Sequence, residues 1–241
     1  MKTELLYGIH PVQEALVARK RTIKQIFISQ NIKNKKINII KKVASERNIK
    51  LSIIPPKVIS KKIGHEYHQN VIAQVSLLPL IDYNQMIGPQ SFIILCDHIV
   101  DPQNMGAIMR TALAAGVSGL ITTRDNSTPF SASVSKASAG AMEHIPVSRV
   151  TNLVRIMKEL KKNGIWVMGL DGKSKEKIYN TSFKDPIALV IGGEEKGMRR
   201  LVHETCDQVL SIPQLGPLYS LNASVAGAVA MYEVYRQRFE N

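Results

Sequence analysis

The chain has 241 residues, 44% of them hydrophobic, and a formal net charge of +13. That apolar share supports a packed core and argues against global disorder, while the length suits one large domain or two small ones. No apolar run approaches the ~18 residues of a membrane span, and the first residues lack the apolar centre of a signal peptide. Cys96 and Cys206 offer neither a disulfide framework nor a metal-ligand spacing. The expectation is a cytoplasmic protein with no metal and no membrane partner.

The charge is unevenly placed. Residues 1–76 hold 15 Lys and Arg against 4 Asp and Glu, whereas 77–241 hold 17 against 15. A solvated surface explains any single lysine. A joint excess confined to one third of the chain reads better as a docking face for a polyanion, and no basic amphipathic helix favours lipid over nucleic acid.

Taken in chain order, Ile23–Ile28 reads as a strand. Residues 35–47 read as a helix with Ile39, Ile40 and Val43 inward and Lys35, Lys36, Lys41, Lys42 and Arg47 outward. A strand at 51–54 meets Pro55-Pro56 and a short basic helix, and Val71–Ser76 closes a small α/β unit. His65-Glu-Tyr-His68 is one residue short of the zinc-protease spacing. Residues 77–90 lose all periodicity and read as a linker whose apolar residues partly pack down. From 91 onward strands and helices alternate: strand 92–96, helix 105–115, strand 119–122, a Ser/Ala-rich segment at 131–143, helix 151–162, strands 165–170 and 187–191, helix 198–205, strand 208–212 and a final helix. The strands are continuous apolar runs, so both faces of a largely parallel sheet are covered. In the final helix Leu221, Val225, Val229, Tyr232 and Tyr235 predict the buried stripe.

Three stretches stand out: Asp101-Pro-Gln-Asn-Met-Gly-Ala-Ile-Met-Arg110, Leu189-Val-Ile-Gly-Gly-Glu-Glu-Lys-Gly-Met198, and the run from Ser211 through Ser220-Leu-Asn-Ala-Ser224. Each has a plain structural reading. Asn104 can cap a helix, and Arg110 can lie on its surface. Gly192, Gly193 and Gly197 can build a tight turn. Ser220 and Asn222 can cap the last helix. Neither the Walker loop nor the dinucleotide glycine fingerprint is present.

Together, in order and spacing, the three stretches resemble the motifs of the SpoU (TrmH-like) family of RNA ribose 2′-O-methyltransferases. Within that family they come nearest to enzymes that methylate a guanosine in large-subunit ribosomal RNA. Tyr7-Gly-Ile-His-Pro-Val12 and His68-Gln-Asn-Val-Ile-Ala73 extend the resemblance over nearly the whole chain. It implies an N-terminal RNA-binding α/β domain over 1–76, a linker over 77–90, and a parallel-sheet methyltransferase domain over 91–241 folded as a trefoil knot. It also implies S-adenosylmethionine as cofactor, RNA as substrate and a homodimer whose protomers share groups. Gly192, Ile212 and Leu221 are carried over as cofactor residues. Asn104, Arg110, Glu194, Ser220 and Asn222 are carried over as catalytic ones, with no metal. Which group takes the hydroxyl proton stays open, because arginine keeps its proton in proteins and Glu194 is the alternative. Gln214, Tyr219, Lys196 and Asn70 depart from the usual residues. Transfer RNA as substrate, a non-catalytic RNA binder and a nucleotide-dependent oxidoreductase remain the competing readings.

Overall fold

The computed structural model describes residues 2–216 and 220–240; Tyr219, one of the departures, lies outside them. The chain divides into two compact units, one made of Met1–Pro79 with Phe130–His144, the other of Leu80–Pro129 with Ile145–Asn241.

In the first unit β1 (Thr3–Tyr7), α1 (Ile9–Ala18), β2 (Ile23–Ser29), α2 (Lys35–Glu46), β3 (Lys50–Ile54), α3 (Pro56–Ile63) and β4 (Val71–Ser76) follow one another. The sheet order is β1-β4-β2-β3, with β4 antiparallel to both neighbours and β2 parallel to β3. Local signals set the boundaries. The Asn34 side chain accepts the Lys36 and Ile37 amides to start α2. Pro56 opens α3, and Gly64 closes it at φ 82°, a conformation that favours glycine. One expectation for α2 needs correction. Its buried residues are Ile37, Ile40 and Ala44, whereas Ile39 is 50% exposed. Positions 37, 40 and 44 share a stripe, and 39 stands about 100° away from 40 around the helix.

The second unit contains β5 (Phe92–Asp97), α4 (Pro102–Ala114) and β6 (Gly119–Thr123), with α5 (Ala132–Ala137) leaving it for the first unit. It continues with β7 (Val147–Val150), α6 (Leu153–Lys162), β8 (Trp166–Leu170), β9 (Ile187–Gly192), α7 (Arg200–Thr205), β10 (Gln208–Leu210) and α8 (Ala223–Phe239). Its sheet runs β10-β8-β9-β5-β6-β7, and every pairing in it is parallel. β5 is buried along its whole length, as the unbroken apolar runs require. Residues 80–90 are anchored to this unit: Met86 is 4% exposed in its core, and the Ile81 amide donates to the Val147 carbonyl.

The stripe expected on α8 is overturned. Val225 and Tyr232 are 47% and 51% exposed, while Ala223, Gly227, Ala230, Met231, Glu233 and Val234 are buried. The helix seats its small side on β9 and α4. A Cβ on Gly227 would lie 2.6 Å from Ile191 Cδ1, so close approach selects small residues in the first half of the helix, and Met231 and Val234 fill the buried side further along.

Residues 130–144 depart from the expected division, which placed them in the second domain. They pack with the first unit. Ala132 joins its core, and a Cβ on Gly140 (φ 86°) would meet Glu14 Cβ at 2.7 Å. Glu143, 1% exposed, receives Arg21 Nε at 2.7 Å, while Arg21 Nη1 reaches Glu4 and the Ser76 carbonyl. Small side chains allow the approach, and a buried ion pair fixes it.

Candidate active site

Parallel sheets gather their loops, and with them their ligand sites, at the carboxyl ends of the strands. Here the loops after β8, β9 and β10, with the first turn of α8, enclose a cavity of about 480 Å³. The β9 loop is a tight glycine construction. The Gly197 amide donates to the Gly193 carbonyl at 3.0 Å, and Gly197 has φ 64°. A Cβ on Gly192 would lie 2.3 Å from the backbone at Gly197 and Met198, and one on Gly193 would lie 2.6 Å from the His98 carbonyl oxygen. These glycines are required by the crowding of backbone on backbone.

The loop is also pinned by a pair that the sequence did not signal as a site. Asp97, fully buried at the end of β5, accepts the Arg199 amide and Nε at 2.8 Å each and pairs with Nη2 at 2.7 Å. The only hint was an aspartate closing an apolar strand.

The three sequence stretches converge. Asp101 caps α4 by accepting the Gln103 and Asn104 amides, so Asn104 lies inside the first turn and not before the helix. Its side chain is then free to act as a bridge. Asn104 Nδ2 donates to Glu194 Oε1 at 2.9 Å, and Asn222 Nδ2 donates to Asn104 Oδ1 at 2.9 Å. Asn222 Oδ1 in turn caps α8, accepting the Ser224 and Val225 amides. One residue from each stretch thus forms a continuous chain, Glu194–Asn104–Asn222.

Of the other sequence candidates, Gly192, Ile212, Ser220 and Leu221 line the cavity with Glu194 and Asn222, as do the departures Gln214 and Lys196. Arg110 does not. It is exposed on α4, six residues and roughly 9 Å of helix beyond Asn104. The loop Asp171-Gly172-Lys173 also enters the lining; sequence reasoning missed it, although Asp-Gly after a strand is a turn signal. The fourth departure, Asn70, has φ 64° after Gln69 at φ 50°. Asparagine tolerates the left-handed region better than most residues, which makes it a workable substitute for glycine there.

The walls suit a ligand with an apolar and a charged part. Leu170, Ile191, Ile212, Leu221 and Ala226 supply apolar surface, Asp171, Glu194 and Glu195 supply negative charge against Lys173 and Lys196, and the glycine loops supply backbone polar groups. Thiolate chemistry has no support. Burial raises the Cys96 thiol far above its usual range, and burial with neighbouring Asp207 pushes Cys206 up to about 12. Among the described residues no group of three His, Cys, Asp or Glu could hold a metal, and no helix is long and apolar enough to cross a membrane.

A parallel sheet with its cavity at the carboxyl edge, bordered by a carboxylate–amide chain, places this chain among α/β proteins with room for a small ligand at the switch of the sheet. Comparison with known proteins narrows the class. Residues 91–232 match the model of the SpoU rRNA methylase family, and residues 5–80 match that of the RNA 2′-O ribose methyltransferase substrate-binding domain. The chain is 38% identical over 241 residues to a Bacillus subtilis protein described as a TrmH family tRNA/rRNA methyltransferase, YacO, covering 98% of this chain and 96% of that one. It is 34% identical to the 23S rRNA (guanosine-2′-O-)-methyltransferase RlmB of Shewanella oneidensis, covering 98% of both. Its fold is shared with the SpoU methyltransferase AviRb from Streptomyces viridochromogenes, solved with AdoMet, at TM-score 0.85 and 23% identity over 99% of this chain and 92% of that one. The chain belongs to the SpoU methylase family and is an S-adenosylmethionine-dependent RNA 2′-O-ribose methyltransferase.

Proposed function

We propose that this enzyme methylates the ribose 2′-hydroxyl of one guanosine in large-subunit ribosomal RNA, in the cytoplasm. The full-length likeness to the Shewanella enzyme supports that target, and the Glu194–Asn104–Asn222 chain beside the cavity carries the assignment of the reacting edge. S-adenosylmethionine supplies a methyl group already activated on a sulfonium, so the protein's task is positioning and charge. Gly192, Ile212 and Leu221 hold the cofactor, the first through its backbone and the others through apolar contact. Asn104 and Asn222 orient Glu194, whose carboxylate accepts the hydroxyl proton. Ser220 hydrogen-bonds the ribose. Arg110 keeps its proton and stabilises the forming alkoxide.

Its exposed position accords with a homodimer in which Arg110 serves a shared site. Leu113 on α4 and Val225, Tyr232 and Phe239 on α8 are all at least 41% exposed, and α4 packs on α8. These offer an apolar contact face. Sedimentation should give a dimer, and a fully active monomer would remove this part of the reading. The trefoil knot belongs to the same proposal. The family likeness supports it, and the Ser211 amide, donating to the Glu176 carbonyl at 2.8 Å, ties the loop after β8 to the end of β10.

Mapping 2′-O-methyl sites in ribosomal and transfer RNA from cells with and without the gene tests the substrate. Loss of one 23S guanosine methyl is expected. Loss confined to transfer RNA would favour the second reading, which the tRNA/rRNA description of the Bacillus relative keeps open.

A further inference from the structure

A second cavity, about 460 Å³, opens at the same carboxyl edge of the parallel sheet, beyond β6 and β7. Its polar wall carries three guanidinium groups, Arg124, Arg149 and Arg155, against one carboxylate, Asp82. Asp82 is occupied locally, accepting the Asn84 amide and Nδ2 at 2.9 Å each. Among the described residues none of the three arginines has an ion-pair partner. Arg149 is braced by donating Nη2 to the Arg124 carbonyl. Three guanidinium groups without a carboxylate partner leave this wall positive, and an anion in the cavity would offset that charge. The first turn of α6 faces the same cavity through Asn152 and Arg155, adding the positive end of a helix. Leu80 and Tyr83 give an apolar rim.

Planar guanidinium groups match phosphate oxygens. Along the sheet, β7 stands three strands from β9, roughly 14 Å at ~4.8 Å per strand. We infer that Arg124, Arg149 and Arg155 form a phosphodiester subsite that holds the substrate RNA a few nucleotides from the reacting ribose. This rests on the RNA methyltransferase reading above. The subsite binds without reacting, and it adds a phosphate contact on the catalytic unit to those of the basic N-terminal unit.

The test uses the full-length enzyme, a protein-free large-subunit rRNA transcript and tritiated S-adenosylmethionine. Arg124 and Arg155 are exposed, so the double variant Arg124→Gln/Arg155→Gln should fold and bind cofactor as the parent does. Its KM for RNA should rise about tenfold with kcat at saturating RNA retained. The slope of log affinity against log salt should flatten by roughly 1.4 to 1.8, as expected for two lost phosphate contacts. Lys158→Gln/Lys162→Gln removes the same charge from α6 outside the cavity and should leave KM near the parent value. An unchanged KM and slope in the arginine variant, or an equal loss in the lysine control, would overturn the subsite. A third arm adds AMP or inorganic phosphate at millimolar concentration. Competition that disappears in the arginine variant, while RNA affinity does not change, would make the cavity a free-phosphate site and overturn the RNA assignment. If the parent enzyme transfers no methyl to the transcript, or to transfer RNA, the underlying reading fails instead.

Discussion

Asn104 links the three sequence stretches, because among the described residues its amide is what joins Glu194 to Asn222. Asn222 was legible as a cap from sequence, since Ser-Leu-Asn before a helical run is a start signal. Arg110 is a different case. It lies outside the cavity lining, so Arg110→Ala and Arg110→Lys should both bind S-adenosylmethionine normally in calorimetry. Both should lose about 10²–10³ in single-turnover methyl transfer, the usual cost of removing a group that acts mainly in the transition state. Near-normal transfer by Arg110→Lys would mean that charge alone suffices, because lysine keeps the charge but loses the planar fork. Asp97–Arg199 could not have been found from sequence. The partners are 102 positions apart, and an aspartate closing an apolar strand does not say which cation it meets.

The strand and helix alternation, the parallel sheet and the glycine turn after β9 could all be read from period and composition. What periodicity could not decide was which of two apolar faces a helix buries. In α8 the buried side carries Ala223, Gly227 and Ala230 in place of Val225, and in α2 a neighbouring isoleucine is exposed. Gly192 shows the same crowding in a loop. Gly192→Ala would drive a methyl into main-chain atoms 2.3 Å away, which cannot swing aside as a side chain would. That variant should lose cofactor affinity by at least tenfold in calorimetry while its circular dichroism stays native. The 130–144 segment escaped prediction because a Ser/Ala-rich stretch carries no address of its own; the address is Arg21. Arg21→Met would leave Glu143 buried and uncompensated, costing about 3–5 kcal/mol in urea unfolding at neutral pH. Arg21→Met/Glu143→Met should recover part of that loss. Burial already pushes the Glu143 carboxyl upward, opposed by Arg21. Without the guanidinium the folded value rises further above the unfolded one, ~4.3. A raised folded value gives stability that is present below the unfolded value and lost as pH rises through the folded one. The single variant's deficit should therefore shrink toward pH 4 and be largest near neutrality; a deficit independent of pH would show that the buried charge is not its cause.

The charge asymmetry of the whole chain was visible from counting alone, and it makes a claim about affinity that counting cannot test. A fragment beginning at residue 77 does not isolate the second unit, because the first unit includes 130–144. Cutting the chain at 77 would strip that segment of its core partners and leave Glu143 without Arg21. Substitution within the intact protein avoids this. Lys33, Lys35, Lys57 and Lys61 are exposed on the first unit, and replacing all four by glutamine removes four charges without touching its core. Each one that neutralises a phosphate contributes about 0.7 to the salt slope on single-stranded RNA and about 0.9 on a duplex. The quadruple variant should bind the rRNA transcript at least tenfold more weakly at 150 mM salt, with a flatter salt dependence and unchanged cofactor binding. The matched variant in Lys158, Lys162, Lys175 and Lys184 of the second unit controls for net charge, because long-range attraction responds to both sets alike whereas direct contacts do not. Equal weakening by the two sets would mean that RNA senses only the overall charge, and the assignment of the N-terminal unit as the docking face would fall.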